Sequence, residues 1–285
     1  MIHLGLDTWL WASKFEERHL YCIERVHELG AQVIDFSIND PRSFPVQQAA
    51  SLVKLYGLEA VTSTAMPLTC NPISPSSAVR AKAVEYMKAL LEITACLGSK
   101  LTGGVNYTAS GYLTGHPRTQ QELEWAAEYM RSAATYAAQE GITIAVEAVK
   151  RFESHLINTA EQALEFVELV GMPNVKVHLD TFHMNIEESN LPGAIEACGN
   201  KLGYLHLVDS NRGVPGMGHV PWLEVYKALQ KIGYDGPACI ETFNPETLDE
   251  TCSMTYLTRR FGSTPEELAK KGLKYLRAVE TLVYG

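Results

Sequence analysis

One pattern recurs along this chain: a helix-like segment, then a glycine, then a short run of apolar and β-branched residues. The glycines stand where the left-handed backbone that ends a helix is easiest to adopt. They are Gly30, Gly57, Gly98, Gly141, Gly171, Gly199 and Gly233. The runs predict eight strands, at Leu4–Asp7, Val33–Ile38, Ala60–Thr64, Lys100–Val105, Ile142–Val149, Val175–Thr181, Leu202–Asp209 and Pro237–Phe243. Strands that alternate with helices are typical of a parallel sheet.

The segments between these strands have helical signals. In 77–97 the apolar residues recur at helical spacing. Capping boxes, in which a Thr is followed three residues later by Glu or Gln, predict three further helix starts. They are Thr119 with Glu122, Thr159 with Gln162, and Thr264 with Glu267.

Eight strands and about eight helices in 285 residues predict a (β/α)8 TIM barrel, a fold of about 250 residues. A doubly wound open sheet is the alternative, but it usually has Gly-x-Gly-x-x-Gly after its first strand. Here that position reads TWLWASKF. Because no linker rich in Pro, Gly or Ser divides the chain, we expect one domain over residues 1–285.

The composition of the chain limits the kinds of molecule that it could bind and the compartment in which it could work. The chain is 46% hydrophobic with a net charge of −9, which argues against disorder and against a nucleic acid partner. No apolar stretch approaches the roughly 20 residues that cross a membrane, and the first residues do not resemble a signal peptide. Six scattered cysteines predict free thiols, so we expect a cytoplasmic protein.

Four ionisable residues stand near the ends of the last four predicted strands. Glu147, Asp180, His206 and Glu241 follow one another at intervals of 33, 26 and 35 residues, each about one β-α unit. In a barrel, such positions converge at the carboxyl ends of the strands. Three carboxylates and an imidazole suit Mn²⁺, Mg²⁺ or Co²⁺. Each residue alone could instead be a salt-bridging, capping or hydrogen-bonded core residue.

Other polar residues lie just beyond the strand ends. Glu153 follows strand five, His183 follows strand six, and Arg212 follows strand seven. A neutral His183 could bond a hydroxyl group, and the Arg212 fork could bind a carbonyl or hydroxyl oxygen. The alternative for Arg212 is a salt bridge to Asp209 or Glu153 at the rim of the barrel.

Several longer strings resemble the ketose 3-epimerases. They are EAVKRFESHLINTAEQAL, VKVHLDTFHMNIEE, HLVDSNRGVPGMGHVPW and GYDGPACIETF, and the likeness runs from about Ser74 to the end of strand eight. These D-tagatose, D-psicose (D-allulose) and L-ribulose 3-epimerases belong to the xylose-isomerase-like sugar isomerase/epimerase superfamily. The chain departs from them at CSMTYLTRRF, where the family often has Trp-Arg, and in the segments after strands three and four.

The resemblance implies a (β/α)8 barrel that binds one divalent metal ion, Mn²⁺ first and Co²⁺ or Mg²⁺ otherwise. It implies a homo-oligomer, a dimer or tetramer, that acts on a small sugar. The family's metal ligands fall on Glu147, Asp180, His206 and Glu241, and the two glutamates are also its acid/base pair. Its sugar-contacting residues fall on Glu153, His183 and Arg212.

Epimerisation at C3 removes a proton beside the ketose carbonyl, through a cis-enediolate, and returns it on the other face. A metal ion would stabilise that charge, and Glu147 and Glu241 would act from opposite faces. The first alternative is an aldose–ketose or inosose isomerase with the same metal site. A metal-dependent phosphodiester nuclease would need more metal ions, more histidine ligands and a basic face. A sugar-binding protein without activity would bind metal but exchange no proton.

Overall fold

The computed structural model describes residues 2–243 and 262–285, and its eight parallel strands close into a barrel. The strands are β1 (His3–Asp7), β2 (Val33–Ser37), β3 (Glu59–Ala65), β4 (Leu101–Val105), β5 (Thr143–Glu147), β6 (Val175–Asp180), β7 (Leu202–His206) and β8 (Pro237–Ile240). Each strand pairs with the next, and β1 pairs with β8. The predicted TIM barrel is confirmed, and the open-sheet alternative is wrong.

Helices lie between the strands and cover the outside of the barrel. In the described residues they are α1 (Tyr21–Glu28), α2 (Val46–Tyr56), α3 (Ser77–Cys96), α4 (Gln120–Gln139), α5 (Ala160–Val170), α6 (Thr181–Glu187), α7 (Leu191–Cys198), α8 (Trp222–Lys231) and α9 (Pro265–Tyr284). Within those same ranges, no helix combines the length and the apolar character that spanning a membrane requires.

The helix-ending glycines behave as the sequence predicts. Gly57 ends α2 with a φ of 64°, and Gly171 ends α5 with a φ of 69°. The seven glycines named above all have positive φ. The chain can therefore turn sharply from each of these helices toward the next strand.

One of the three capping boxes is only half formed. Thr119 and Thr264 each make both reciprocal bonds. Thr159 accepts the backbone N–H of Gln162, but the Gln162 side chain accepts from Asn158 N at 2.7 Å instead of from Thr159 N. The Gln162 side chain thus satisfies the backbone amide of the residue that precedes the cap.

Several strands are shorter than the apolar runs that predict them. The last two runs extend to residues 209 and 243, whereas β7 ends at His206 and β8 at Ile240. The residues after these strands stay apolar because the loop segments are themselves buried: Leu207, Val208 and Phe243 are all core residues. Apolar character thus overestimates strand length at this end of the barrel.

The barrel interior is layered. Six inward-facing side chains form an apolar layer: Val33, Val61, Leu101, Ala145, Tyr204 and Cys239. Because alternate strand residues share a face, the residue two positions further along also points inward. In β2, β5 and β7 that residue is Asp35, Glu147 and His206, and after β8 it is Glu241. A polar layer therefore lies on an apolar one, toward the carboxyl ends of the strands.

Candidate metal centre and substrate pocket

The four residues expected to bind metal all lie at the carboxyl end of the barrel. Glu147, Asp180 and His206 are the last residues of β5, β6 and β7, and Glu241 is the first residue after β8. All four side chains are buried. The strand ladder thus presents them at similar heights around one axis.

Two carboxylates flank one nitrogen of His206. Its Nδ1 lies 3.8 Å from Glu147 Oε1 and 3.7 Å from Glu241 Oε2. This Nδ1 is buried and has no hydrogen-bond partner among the described residues. Ligand atoms on a small octahedral dication lie about 3 Å apart when adjacent and about 4.2 Å apart when opposite. The spacing and the unpartnered nitrogen therefore fit a divalent metal ion.

The side chains close enough to share a metal ion form three overlapping groups in the described parts of the chain. The groups are Glu147, His178 and His206; Asp7, His206 and Glu241; and Glu147, Asp180 and His183. None of the three contains all four expected ligands. One guanidinium group contacts the carboxylates of both Asp180 and Glu241.

That guanidinium belongs to Arg212. Its Nη1 lies 2.8 Å from Asp180 Oδ2, and its Nη2 lies 2.8 Å from Glu241 Oε2. The rings of Phe182 and Phe243 pack on Arg212 Cζ, at 4.7 and 4.4 Å from their centroids. Arg212 has a φ of 63°, the one non-glycine residue in the described ranges with positive φ. Arg212 is thus held inside the site, and the rim salt bridge considered from the sequence is wrong.

The next polar groups outward are His183 and Glu153. His183 Nδ1 accepts the backbone N–H of Lys150 at 3.3 Å, so a neutral ring carries its hydrogen on Nε2. That Nε2 lies 3.9 Å from carboxylate oxygens of Glu147, Asp180 and Glu153. Burial lowers the pKa of His183 well below its usual range. His183 is therefore a neutral donor that points into the site, and Glu153 is held by an ion pair with the Lys150 ammonium.

The carboxyl groups differ in acidity. Burial, with the charges of Glu241 and Asp180, raises the pKa of Glu147 well above its usual value. Burial and the Asp180 charge also raise the pKa of Glu241. Burial raises the pKa of Asp180 too, but His183 and Arg212 outweigh it and lower that pKa to about 2. The two glutamates can hold protons, while Asp180 stays ionised.

Three buried polar residues near the quartet escaped the sequence analysis. Asp35 Oδ2 lies 3.0 Å from His206 Nε2 and 2.6 Å from the Tyr204 hydroxyl. Asp7 stands beside Asp35 in the strand register, and the His178 ring packs edge-on against His206. Strand alternation could have found His178, because it lies two positions before Asp180 in β6 and so shares its inward face.

A pocket opens above the polar layer. Six of the seven expected site residues line it: Glu147, Glu153, His183, His206, Arg212 and Glu241. Its opposite wall, from β2 to β4, carries small residues that include Ser37, Ser63 and Gly104. A small polar molecule can therefore enter between an ionisable wall and a wall of small side chains.

Comparison with known proteins agrees with this architecture. The family model for xylose isomerase-like TIM barrels matches residues 23–279. L-ribulose 3-epimerase of Mesorhizobium japonicum is 32% identical, over 97% of this chain and 93% of its own length. Ketose 3-epimerase of Arthrobacter globiformis is also 32% identical, over 96% of this chain and 95% of its own.

Solved structures of ketose 3-epimerases are also similar to this chain. D-allulose 3-epimerase from Methylomonas sp., crystallised with D-allulose, has a TM-score of 0.93 and 30% identity, over 97% of this chain and 96% of its own. D-psicose 3-epimerase from Clostridium cellulolyticum, crystallised with D-tagatose, has a TM-score of 0.88 and 29% identity, over 98% of this chain and 99% of its own. The chain belongs to the xylose isomerase-like TIM-barrel family and, within it, to the ketose 3-epimerases, which are carbohydrate epimerases.

Proposed function

We propose that the chain epimerises a free ketose at C3 with the help of one bound divalent metal ion. The observation that carries the proposal is the Nδ1 of His206, which has no hydrogen-bond partner in the described ranges and faces the carboxylates of Glu147 and Glu241 at the base of the pocket. Such a set of groups suits a reaction that needs a cation and two proton-transferring groups at one place.

Glu147 and Glu241 would move the proton. They stand on strands three positions apart around the barrel, so they approach a bound sugar from different directions. Burial raises the pKa of both, with the charge of Asp180 adding to it. A raised pKa lets one glutamate take the C3 proton while its protonated partner delivers another to the opposite face, through a cis-enediolate. The roles exchange in the reverse reaction.

Glu147, Asp180, His206 and Glu241 would hold the metal ion, with Mn²⁺ the first choice because the donor set is mostly carboxylate oxygen. When bound, the ion would draw charge from the ketose oxygens and so make the C3 proton more acidic. Asp180 is suited to this task because His183 and Arg212 lower its pKa to about 2, against the effect of burial.

Glu153, His183 and Arg212 would orient the sugar. The Nε2–H of neutral His183 can donate to a sugar oxygen, and the Arg212 fork can donate to another. Glu153 can accept from a hydroxyl group, while Lys150 holds its carboxylate in place. Phe182 packs on the Arg212 guanidinium and limits the access of water to it.

The substrate would be an unphosphorylated ketose such as D-allulose, D-tagatose or L-ribulose, since relatives named for or crystallised with these sugars cover nearly all of the chain. We also propose that residues 1–285 form one domain that works as a homo-oligomer in the cytoplasm. The single closed barrel supports the first point. The free cysteines of the described residues are compatible with the last one.

Deuterium labelling tests the reaction directly. The protein loaded with Mn²⁺ is incubated with each of the three ketoses in deuterated water, and the label is located by NMR. Deuterium at C3, together with the 3-epimer, is expected. Label at C1 or C2 with an aldose product would instead show the isomerase alternative. Stoichiometric Mn²⁺ without exchange on any sugar would identify a binding protein.

A further inference from the structure

The nitrogen of His206 that points away from the cavity is bonded to a carboxylate across the barrel. Asp35 on β2 places its Oδ2 3.0 Å from His206 Nε2, and the two residues are 171 positions apart. The hydroxyl group of Tyr204 donates to the same oxygen at 2.6 Å. All three side chains are fully buried.

This bond decides which nitrogen of His206 is free. A carboxylate can only accept hydrogen bonds, so Nε2 must carry the hydrogen that it donates to Asp35. In a neutral ring, Nδ1 then keeps its lone pair. That Nδ1 faces Glu147 Oε1 at 3.8 Å and Glu241 Oε2 at 3.7 Å, and it has no hydrogen-bond partner among the described residues.

The surrounding rings keep His206 in this orientation. His178 packs edge-on against the His206 ring, with 4.3 Å between centroids and an angle of 83°. Tyr204 packs against it at 4.9 Å and 72°. Rotation of the imidazole would therefore displace two buried aromatic rings as well as break the bond to Asp35.

The neighbouring acid has different partners. Asp7 lies beside Asp35 in the register of β1 and β2. Its Oδ1 accepts the backbone N–H of Trp9 at 2.6 Å, and its Oδ2 accepts from the Ser37 hydroxyl at 2.7 Å. Within residues 2–243 and 262–285, Asp35 alone is hydrogen-bonded to the ring of His206.

We propose that Asp35 is a positioning residue that fixes His206 with its hydrogen on Nε2, so that Nδ1 is free to bind the metal ion. This inference rests on the proposed function, because it takes His206 as a metal ligand. Carboxylates that orient a metal-binding histidine typically contribute a factor of about 10 to 100 in metal affinity. Asp35 would act on the metal through His206 alone and touch no substrate.

The test compares Asp35→Asn with Tyr204→Phe in the full-length, metal-free protein. Asp35→Asn removes the charge that holds His206, whereas Tyr204→Phe removes the other hydrogen bond to the same oxygen and leaves the Asp35–His206 bond in place. Mn²⁺ affinity is measured by titration calorimetry. We expect Asp35→Asn to weaken binding by about 10- to 100-fold, and Tyr204→Phe to weaken it less.

A second readout reports on the ring itself. In Mg²⁺-loaded protein with ¹⁵N-labelled histidine, NMR shows which nitrogen of His206 carries hydrogen, and His206→Gln identifies the resonance. We expect hydrogen on Nε2 in the unmodified protein and a changed pattern in Asp35→Asn. A purely structural Asp35 would lower the melting temperature of the variant and leave the Mn²⁺ affinity and the pattern of the ring unchanged.

Either of two results would overturn the inference: Asp35→Asn that binds Mn²⁺ as tightly as the unmodified protein, or an unmodified His206 with its hydrogen on Nδ1. The second does not depend on Asp35→Asn, so it decides the matter even if that variant does not fold. An unmodified protein that binds no Mn²⁺ refutes the proposed function and this inference together. If the unmodified protein and Asp35→Asn both bind Mn²⁺ normally, only this inference is refuted and the proposed function stands.

Discussion

The guanidinium of Arg212 lies over the ring of Phe243, with 4.4 Å between its Cζ and the ring centroid, and the residue is only 9% exposed. From there its two terminal nitrogens each reach one carboxylate, Asp180 and Glu241. A planar fork can stack on a ring and bridge two acids at once, whereas an ammonium group cannot. One side chain therefore compensates two of the buried negative charges in the site.

Replacing that fork should impair catalysis more than folding. For Arg212→Lys we expect kcat/KM to fall by about 10- to 100-fold, because a charge-assisted hydrogen bond contributes about 1.5–3 kcal/mol. Arg151→Lys is the matched control, since Arg151 pairs with Glu187 at the exposed rim. Steady-state kinetics on the best ketose checks both. Equal losses in the two variants would contradict a role for Arg212 in the site.

The glutamate pair gives the next prediction. Glu147→Gln and Glu241→Gln should each fold and lose turnover by at least about 10²- to 10⁴-fold, because an amide cannot transfer the C3 proton. Glu165→Gln, at an exposed ion pair with Arg118, should stay near the unmodified rate. Circular dichroism verifies folding, and loss of deuterium exchange at C3 measures the effect. Near-normal epimerisation by either site variant would remove the acid/base assignment.

Asp209 should stabilise the loop after β7. Its carboxylate accepts the backbone N–H groups of Ser210, Gly216 and Val220, at 2.8, 2.8 and 3.2 Å, and the Trp222 indole N–H at 3.1 Å. Asp209→Asn places an N–H group among these donors, so we expect a loss of about 2–4 kcal/mol in the free energy of unfolding at pH 7. Urea denaturation measures this loss.

The same residue predicts a pH dependence. Burial raises the pKa of Asp209, but the bonds from Trp222 and the loop amides outweigh it and lower that pKa. A carboxyl group whose pKa is depressed in the folded state stabilises the protein at any pH above its unfolded-state pKa of about 3.9. That stabilisation is lost as the pH falls through the folded-state pKa. The difference in stability between the unmodified protein and Asp209→Asn should therefore shrink below about pH 4. A difference that stays constant to lower pH would contradict this account.

Gly104 on β4 should tolerate no side chain. Its φ is 92°, and a Cβ there would lie 2.2 Å from the carbonyl oxygen of Thr64 on the neighbouring strand. We expect Gly104→Ala to lower the free energy of unfolding by about 3–5 kcal/mol, from backbone strain and overpacking together. Gly57→Ala is the control, because Gly57 has a similar left-handed backbone and open space around it.

Gly57→Ala should cost only about 1–2 kcal/mol, the strain of the left-handed backbone alone. Denaturant titration compares the two variants. If both lose the same amount, the close contact with Thr64 contributes nothing to the need for glycine at Gly104.

The barrel and the site residues at the strand ends can be predicted from the sequence, because both follow from patterns among residues close together in the chain. These patterns are the glycines that follow helices and the ionisable residues that stand near strand ends, such as Glu147 and His206. Both can be recognised without knowledge of the fold. The partner of His206 is not visible in this way. Asp35 interrupts a strand that is otherwise mostly apolar, VIDFS, and meets His206 only when the barrel closes.

For Arg212 the residues alone leave two positions open, a contact with substrate in the site and a salt bridge at the rim. Nothing local distinguishes an arginine at the rim from one that turns inward. Its inward course depends on a left-handed backbone at Arg212 itself and on two aromatic rings, one from α6 and one from the residues after β8. The segment CSMTYLTRRF, singled out from the sequence, and Cys252 within it lie outside the described residues.

The apolar layer of Val33, Val61, Leu101, Ala145, Tyr204 and Cys239 closes the barrel below the carboxylates. In the described parts of the chain, solvent and sugar then reach the carboxylates from the same end of the barrel. While a ketose fills that end, the glutamate that takes the C3 proton would be shielded from water, and the product would receive its hydrogen from the other glutamate. That hydrogen should accordingly have entered from water before the sugar bound.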